Sequence, residues 1–198
     1  FIKIAILNFK PDNTKISISN HDIFYRLPSM YQGILRWSYG ETRKELEWLK
    51  HYNEGQVDED MVKKGDNVKT AFREYCEENF LDYPKNYIKE LIKESGKIIY
   101  QLKYKYNRPR PKQVADFLEM DFPTTTLESM HTPSYPSGHS TQGIFIGRVL
   151  SKMYPKHEKQ LMEIGKMISN SRLMARAHYP SDSKFGEELG ELLFRNLK

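Results

Sequence analysis

The sequence predicts an all-α fold, one helical bundle in a single domain, and three observations carry that prediction. Apolar residues recur at three- and four-residue intervals along most of the chain after Asp22. Prolines fall at the edges of these periodic stretches rather than inside them. No internal repeat, low-complexity segment or linker divides the 198 residues, a length suited to one domain with a sizeable core.

Taken in order, residues 1–20 are β-branched and turn-rich and read as a short strand or an extended arm. The acidic, polar, glycine-bounded stretch from Glu54 to Gly65 reads as a loop. The spacing of Ile88, Leu91, Ile92, Ile98, Ile99 and Leu102 predicts a helix from Pro84 to Tyr106 with one buried stripe. Pro109 and Pro111 should stop it, since each lacks an amide donor and clashes with the preceding turn. Residues 120–136 are proline- and threonine-rich and read as a loop. A second helix should run from Ser137 to Tyr154, with Gly143 and Gly147 one turn apart and able to admit a close neighbour. A third runs from Pro155 to Met174 with Leu161, Ile164 and Ile168 inward. The last starts near Ser181 as N-cap and carries Phe185, Leu189, Leu192 and Leu193. Trp37 and Trp48 read as core; His21, His51, His131 and His157 read as surface or satisfied histidines. The domain spans 1–198, with 1–80 a helical or extended part and 84–198 the core that carries the motifs.

Composition bounds the function loosely. Hydrophobic residues make up 38% and charged residues 29%, as in a soluble globular protein. No apolar run reaches the 18 residues a membrane helix needs, so no integral membrane association is expected. No signal peptide is visible, and the start at Phe1 leaves a removed leader open. Cys76 is the only cysteine, which forbids an intrachain disulfide and leans towards a reducing, cytoplasmic setting, with periplasm or secretion open. The net charge of +5 comes from 31 basic and 26 acidic residues that are interspersed. No aromatic–basic module is recognisable, so nucleic acid is not an expected partner.

Three motifs carry chemistry. The first runs from Lys103 to Arg110-Pro111, placing a lysine in the last helical turn and an arginine just beyond it. Arginine suits bidentate phosphate contact and lysine a point-charge contact; alone, the stretch also reads as a basic helix C-terminus. The second is Pro136-Ser137-Gly138-His139, a helix start whose amides can bind an oxyanion, with a histidine placed to donate a proton. The third is Ser171-Arg172 through His178 to Asp182. An acid four residues after a histidine can bond one imidazole nitrogen and leave the other to attack. Together they supply three cations, two histidines, one orienting carboxylate and an anion-binding helix start, a set suited to phosphoryl transfer without a metal or other cofactor.

The pattern K-x6-RP, then PSGH, then SR-x5-H-x3-D resembles the signature of the type 2 phosphatidic acid phosphatase (PAP2) superfamily. That group takes in class A non-specific acid phosphatases, membrane lipid phosphatases and vanadium haloperoxidases. The resemblance covers Lys103 to Asp182, and Gly186 fits the family's glycine in the following helix. Ser140 and Phe185 depart from it, standing where Thr and a small residue are more usual. It implies the bundle of the acid phosphatase–haloperoxidase type. It also implies His178 as nucleophile, Asp182 as its orienter, and His139 as acid and then base. Lys103, Arg110, Ser137, Gly138 and Arg172 would bind phosphate. The absence of membrane spans favours the soluble acid-phosphatase-like group and a small phosphorylated substrate, a soluble phosphomonoester. A vanadate-dependent haloperoxidase and a non-catalytic anion-binding protein are the alternatives, and homo-oligomerisation stays open.

Overall fold

The computed structural model describes residues 39–52, 57–125 and 127–197. Residues 1–20, His21 and Trp37 lie outside the described residues. The described chain is built of helices joined by loops: α1 (Tyr39–His51), α2 (Glu59–Gly65), α3 (Val68–Glu78), α4 (Lys85–Tyr106), α5 (Pro111–Phe117), α6 (Gly138–Met153), α7 (Glu158–Met174) and α8 (Pro180–Arg195). None of them is long and apolar enough to cross a membrane.

α6 is the central helix and packs most extensively on α7 and α8. Its approach to α7 is set by glycines. A Cβ on Gly143 would lie 2.9 Å from the Gly165 carbonyl oxygen, and one on Gly165 2.7 Å from that of Gly143. Any side chain at either position would force the two backbones apart. Ile88, Leu91, Ile98, Ile99 and Leu102 of the predicted α4 stripe are buried here with Phe145, Leu161, Ile168 and Phe185, and Ile92 packs against them partly buried.

Two smaller apolar clusters matter more for the site. Leu46 and Leu49 of α1 pack with Ala115, Phe122 and Tyr179. Val62 of α2 packs with Ala175 and Ala177. α1 and α2 therefore brace the α7–α8 turn, which carries His178.

Several expectations need correction. The stretch ending at Gly65 is not all loop, because Glu59–Gly65 is helical. Asp58 caps it by accepting from the Met61 amide at 2.9 Å, and acids in its first turn and lysines in its last suit the helix dipole. α4 is ended by Asn107, which takes the left-handed conformation (φ 48°), before the prolines are reached. Pro111 starts α5 rather than merely stiffening a loop, with Arg110 as its N-cap. The 120–136 loop contains a 3-10 turn, Glu128–His131, and a second such turn, Pro155–His157, precedes α7. α8 begins at Pro180, and Tyr179, not Ser181, is its N-cap. Trp48 is not core: it is 46% exposed and stacks on Tyr52.

Candidate active site

The three motifs meet at one cavity of about 200 Å³, lined by Lys103, Arg110, Gly138, His139 and His178 together with Gly96, Ile99, Tyr100, Ser129, Thr132 and Gln142. Lys103 projects from the last turn of α4, Arg110 from the α5 N-cap, Gly138 and His139 from the first turn of α6, and His178 from the α7–α8 turn. Gly186 seats α8 on the start of α6, since a Cβ there would meet the Ser137 carbonyl oxygen at 2.6 Å.

Both cations are buried. The Lys103 amine donates to the Pro133 and Ser134 carbonyls at 2.5 and 3.3 Å. Burial, and then the neighbouring Arg110, push it down to about 7. Arg110 donates through Nε to the Thr132 carbonyl at 2.8 Å, through Nη2 to that of Ser129 at 3.0 Å, and through Nη1 to that of Ala177 at 2.8 Å. Its Nη1 also lies 2.9 Å from His178 Nε2. Burial lowers Arg110 to about 10, so it stays charged.

The partners define the tautomer of His178. A guanidinium can only donate, so Nε2 accepts and carries the lone pair. The ring proton then sits on Nδ1, 3.4 Å from Asp182 Oδ2. Asp182 is fully buried and is itself held on every side: its carboxylate accepts from Arg108 Nη1 at 2.6 Å, the Tyr179 amide at 3.0 Å and the Ser134 hydroxyl. The His178 imidazole is held well below its ordinary range, by burial first and then by Arg110, Lys103, His139 and Arg172. It is therefore neutral, with its Nε2 lone pair facing Arg110 Nη1.

His139 is arranged differently. Its Nε2 lies 3.1 Å from the Asp66 carbonyl oxygen, which can only accept, so Nε2–H is the donor and Nδ1 the free base. Burial, followed by the charge of Arg172, pushes His139 down to about 4. An entering oxyanion would oppose that charge and raise it again.

Not every expected residue reaches the cavity. Ser137 and Arg172 do not line it. The Ser137 hydroxyl accepts from the Ser140 amide and hydroxyl at 3.3 and 2.8 Å, capping α6. Arg172 is fully buried; its Nη1 donates to Asp66 Oδ1 at 2.7 Å and its Nη2 to the Val62 carbonyl at 3.1 Å.

Three further residues emerge that the motif reading missed. Asp66, at the α2–α3 junction, holds Arg172 through its carboxylate and His139 through its carbonyl. Arg108 lies inside the first motif, stacks 3.7 Å over the Tyr179 ring and bridges Asp182 to Glu45. Glu45 of α1 accepts from Arg108 Nη2, the Ser181 amide and the Ser181 hydroxyl at 2.7, 2.7 and 2.9 Å.

A sequence profile of the PAP2 superfamily matches residues 91–195, more than half of the chain. The chain belongs to the PAP2 superfamily. Among curated relatives, an acid phosphatase of Zymomonas mobilis subsp. mobilis is 30% identical over 105 residues, covering 51% of this chain and 38% of that one. A non-specific acid phosphatase of Salmonella typhimurium is 35% identical over 65 residues, 33% of this chain and 26% of that one. A third, from Salmonella typhi, is 30% identical over 118 residues, covering 57% and 45%. The matches span less than half of those relatives' own lengths. Among solved structures, a transmembrane PAP2-type phosphatidylglycerolphosphate phosphatase from Bacillus subtilis aligns over 98% of this chain and 89% of that one, at 18% identity and a TM-score of 0.43. Both Asp66 and Glu45 fall outside the stretch that the PAP2 profile covers.

Proposed function

We propose that this PAP2 domain hydrolyses small phosphomonoesters through a phosphohistidine on His178, without a metal. The observation that carries this reading is the orientation of His178, whose Nε2 lone pair faces Arg110 while Nδ1–H faces Asp182. Pure anion binding needs cations but not an oriented, unprotonated imidazole among them.

In the first step Nε2 attacks phosphorus and the bond to the ester oxygen breaks. The departing oxygen takes a proton from His139 Nδ1, protonated once the oxyanion is bound. Asp182 stabilises the charge that develops on the ring, as the proton stays on Nδ1. In the second step neutral His139 takes a proton from water. The water oxygen attacks phosphorus, the P–N bond breaks, and inorganic phosphate leaves with His178 neutral again. Lys103, Arg110 and the Gly138 amide neutralise the equatorial oxygens; removing one such donor typically costs about 3 kcal/mol of transition-state stabilisation. Arg172 contributes its charge from behind the cavity wall, and Ser137 acts by capping the start of α6 rather than by touching phosphate.

Release of phosphate from 4-nitrophenyl phosphate in excess chelator tests the proposal. Turnover that persists with chelator and is inhibited by vanadate, a mimic of the five-coordinate state, is expected. No turnover, or turnover abolished by chelator, contradicts it.

A further inference from the structure

One wall of the cavity is a face of α4. Gly96, Ile99, Tyr100 and Lys103 are spaced i, i+3, i+4, i+7 and all line it. Lys103 marks the oxyanion end, and Gly96 lies roughly 10 Å further along the helix axis at about 1.5 Å per residue. α6 faces this wall with Gly138, His139 and Gln142. The Gln142 amide is pinned across to α4, donating to the Ile92 carbonyl at 3.1 Å and the Ser95 hydroxyl at 3.3 Å.

Gly96 has no packing reason to be glycine. It sits inside a 22-residue helix, where glycine weakens the helix relative to alanine. A Cβ built on it meets nothing within 4 Å. The neighbouring glycines of the bundle behave oppositely: Gly143, Gly165 and Gly186 are each pressed against a backbone carbonyl. Among the described residues nothing occupies the space next to a Gly96 Cβ, and Gly96 lines the cavity. Beside it, Ile99 offers a buried aliphatic surface and Tyr100 an aromatic ring that is 53% exposed.

We propose that the Gly96–Ile99–Tyr100 face of α4 is the subsite for the leaving group, and that it takes a single flat ring, as in an aryl phosphate, laid on the bare helix backbone at Gly96 and against the Tyr100 ring. The proposal rests on the phosphatase reading and adds the substrate class. Apolar surface and one aromatic neighbour select for a ring over a polyol, and ring–ring contact prefers an offset or edge-on arrangement. The cavity of about 200 Å³ is below the roughly 300–1,000 Å³ of pockets for larger ligands. A cavity of that size suits a single ring better than a bulky multi-ring group.

The variant Gly96→Leu fills the slot with a good helix former at a position where no described atom lies within 4 Å of a Cβ, and retention of the fold is checked by circular dichroism. Binding of phenylphosphonate and of inorganic phosphate to wild type and variant is measured by calorimetry, which needs no turnover. Hydrolysis of 4-nitrophenyl phosphate is compared with that of acetyl phosphate, whose leaving group carries no ring. We expect about tenfold weaker phenylphosphonate binding and an about tenfold higher KM for the aryl ester, the scale of one lost ring contact. Phosphate binding and acetyl phosphate turnover should stay within about twofold of wild type by the same scale. Tyr100→Ala should shift the same two ring-dependent readings, and Tyr100→Phe should restore them. Equal losses for both ligands, or no loss for the ring-bearing ones, overturn the subsite. A wild type that binds phenylphosphonate in the expected Gly96-dependent way yet turns over no ester overturns the phosphatase reading instead.

Discussion

Two regions of the chain converge on the cavity by different routes. Among the described residues the stretch from α4 to α8 supplies the whole lining, and its cations and histidines come in short motifs whose members are near neighbours in sequence. α1 and α2 line none of it, yet α1 and the C-cap of α2 each place one carboxylate behind it. Glu45 ties Arg108 and Ser181 to Asp182, which faces His178, and Asp66 ties Arg172 to His139. Each histidine is thus aimed by groups that do not themselves touch the oxyanion space. The contrast shows how a cluster of buried cations is made tolerable: the lining region concentrates positive charge, and the bracing region supplies the acids that offset it.

The comparison predicts a ranking of losses. His178→Ala removes the nucleophile itself and should lower kcat by at least about 10³-fold, with vanadate binding retained; steady-state assays and titration check both halves. Asp66→Asn removes a charge behind the wall, leaving Arg172 buried without its acid. Because such outer partners typically cost about 10- to 100-fold, we expect that loss in kcat, with KM much less affected. Glu45→Gln is milder, because Arg108 keeps Asp182 at 2.6 Å. An activity loss of about tenfold and a stability loss of about 1–3 kcal/mol, read from denaturant unfolding, are expected. Equal effects of Asp66→Asn on kcat and on unfolding free energy would reduce that residue to a structural role.

The remaining effect is a pH dependence. Lys103, lowered to about 7, binds an oxyanion in its protonated form. The empty site loses that proton as pH rises through 7, so affinity must fall in that direction, by up to about tenfold per pH unit for one proton. Inhibition by tungstate, whose own charge is constant between about pH 6 and 9, reads this directly. Lys103→Arg, charged throughout this range, should flatten the profile.

Much of this architecture is legible in the sequence, for identifiable reasons. α4 and α6 are long and have apolar residues at helical spacing, so their bounds follow within about a residue. α2 is not legible: its seven residues hold only Met61 and Val62 as apolar side chains, and an acidic start with a basic end looks like a solvated loop. The motif residues can be recognised because phosphoryl chemistry needs those residue types close together. Asp66 cannot, because it lies 106 positions from Arg172 and has no local pattern beyond a helix end. Glu45 is hidden for the same reason, 136 positions from Ser181. Arg108 sits within a motif but reads there as one more basic residue. Only the fold shows that it faces Asp182 rather than the cavity.

The central claim is covalent, and it can be caught. Wild-type protein mixed with 4-nitrophenyl phosphate, quenched within milliseconds in alkali and digested, should yield a peptide phosphorylated on His178, acid-labile and absent from His178→Ala. Phosphate trapped on any other side chain, or steady turnover by His178→Ala, would contradict it.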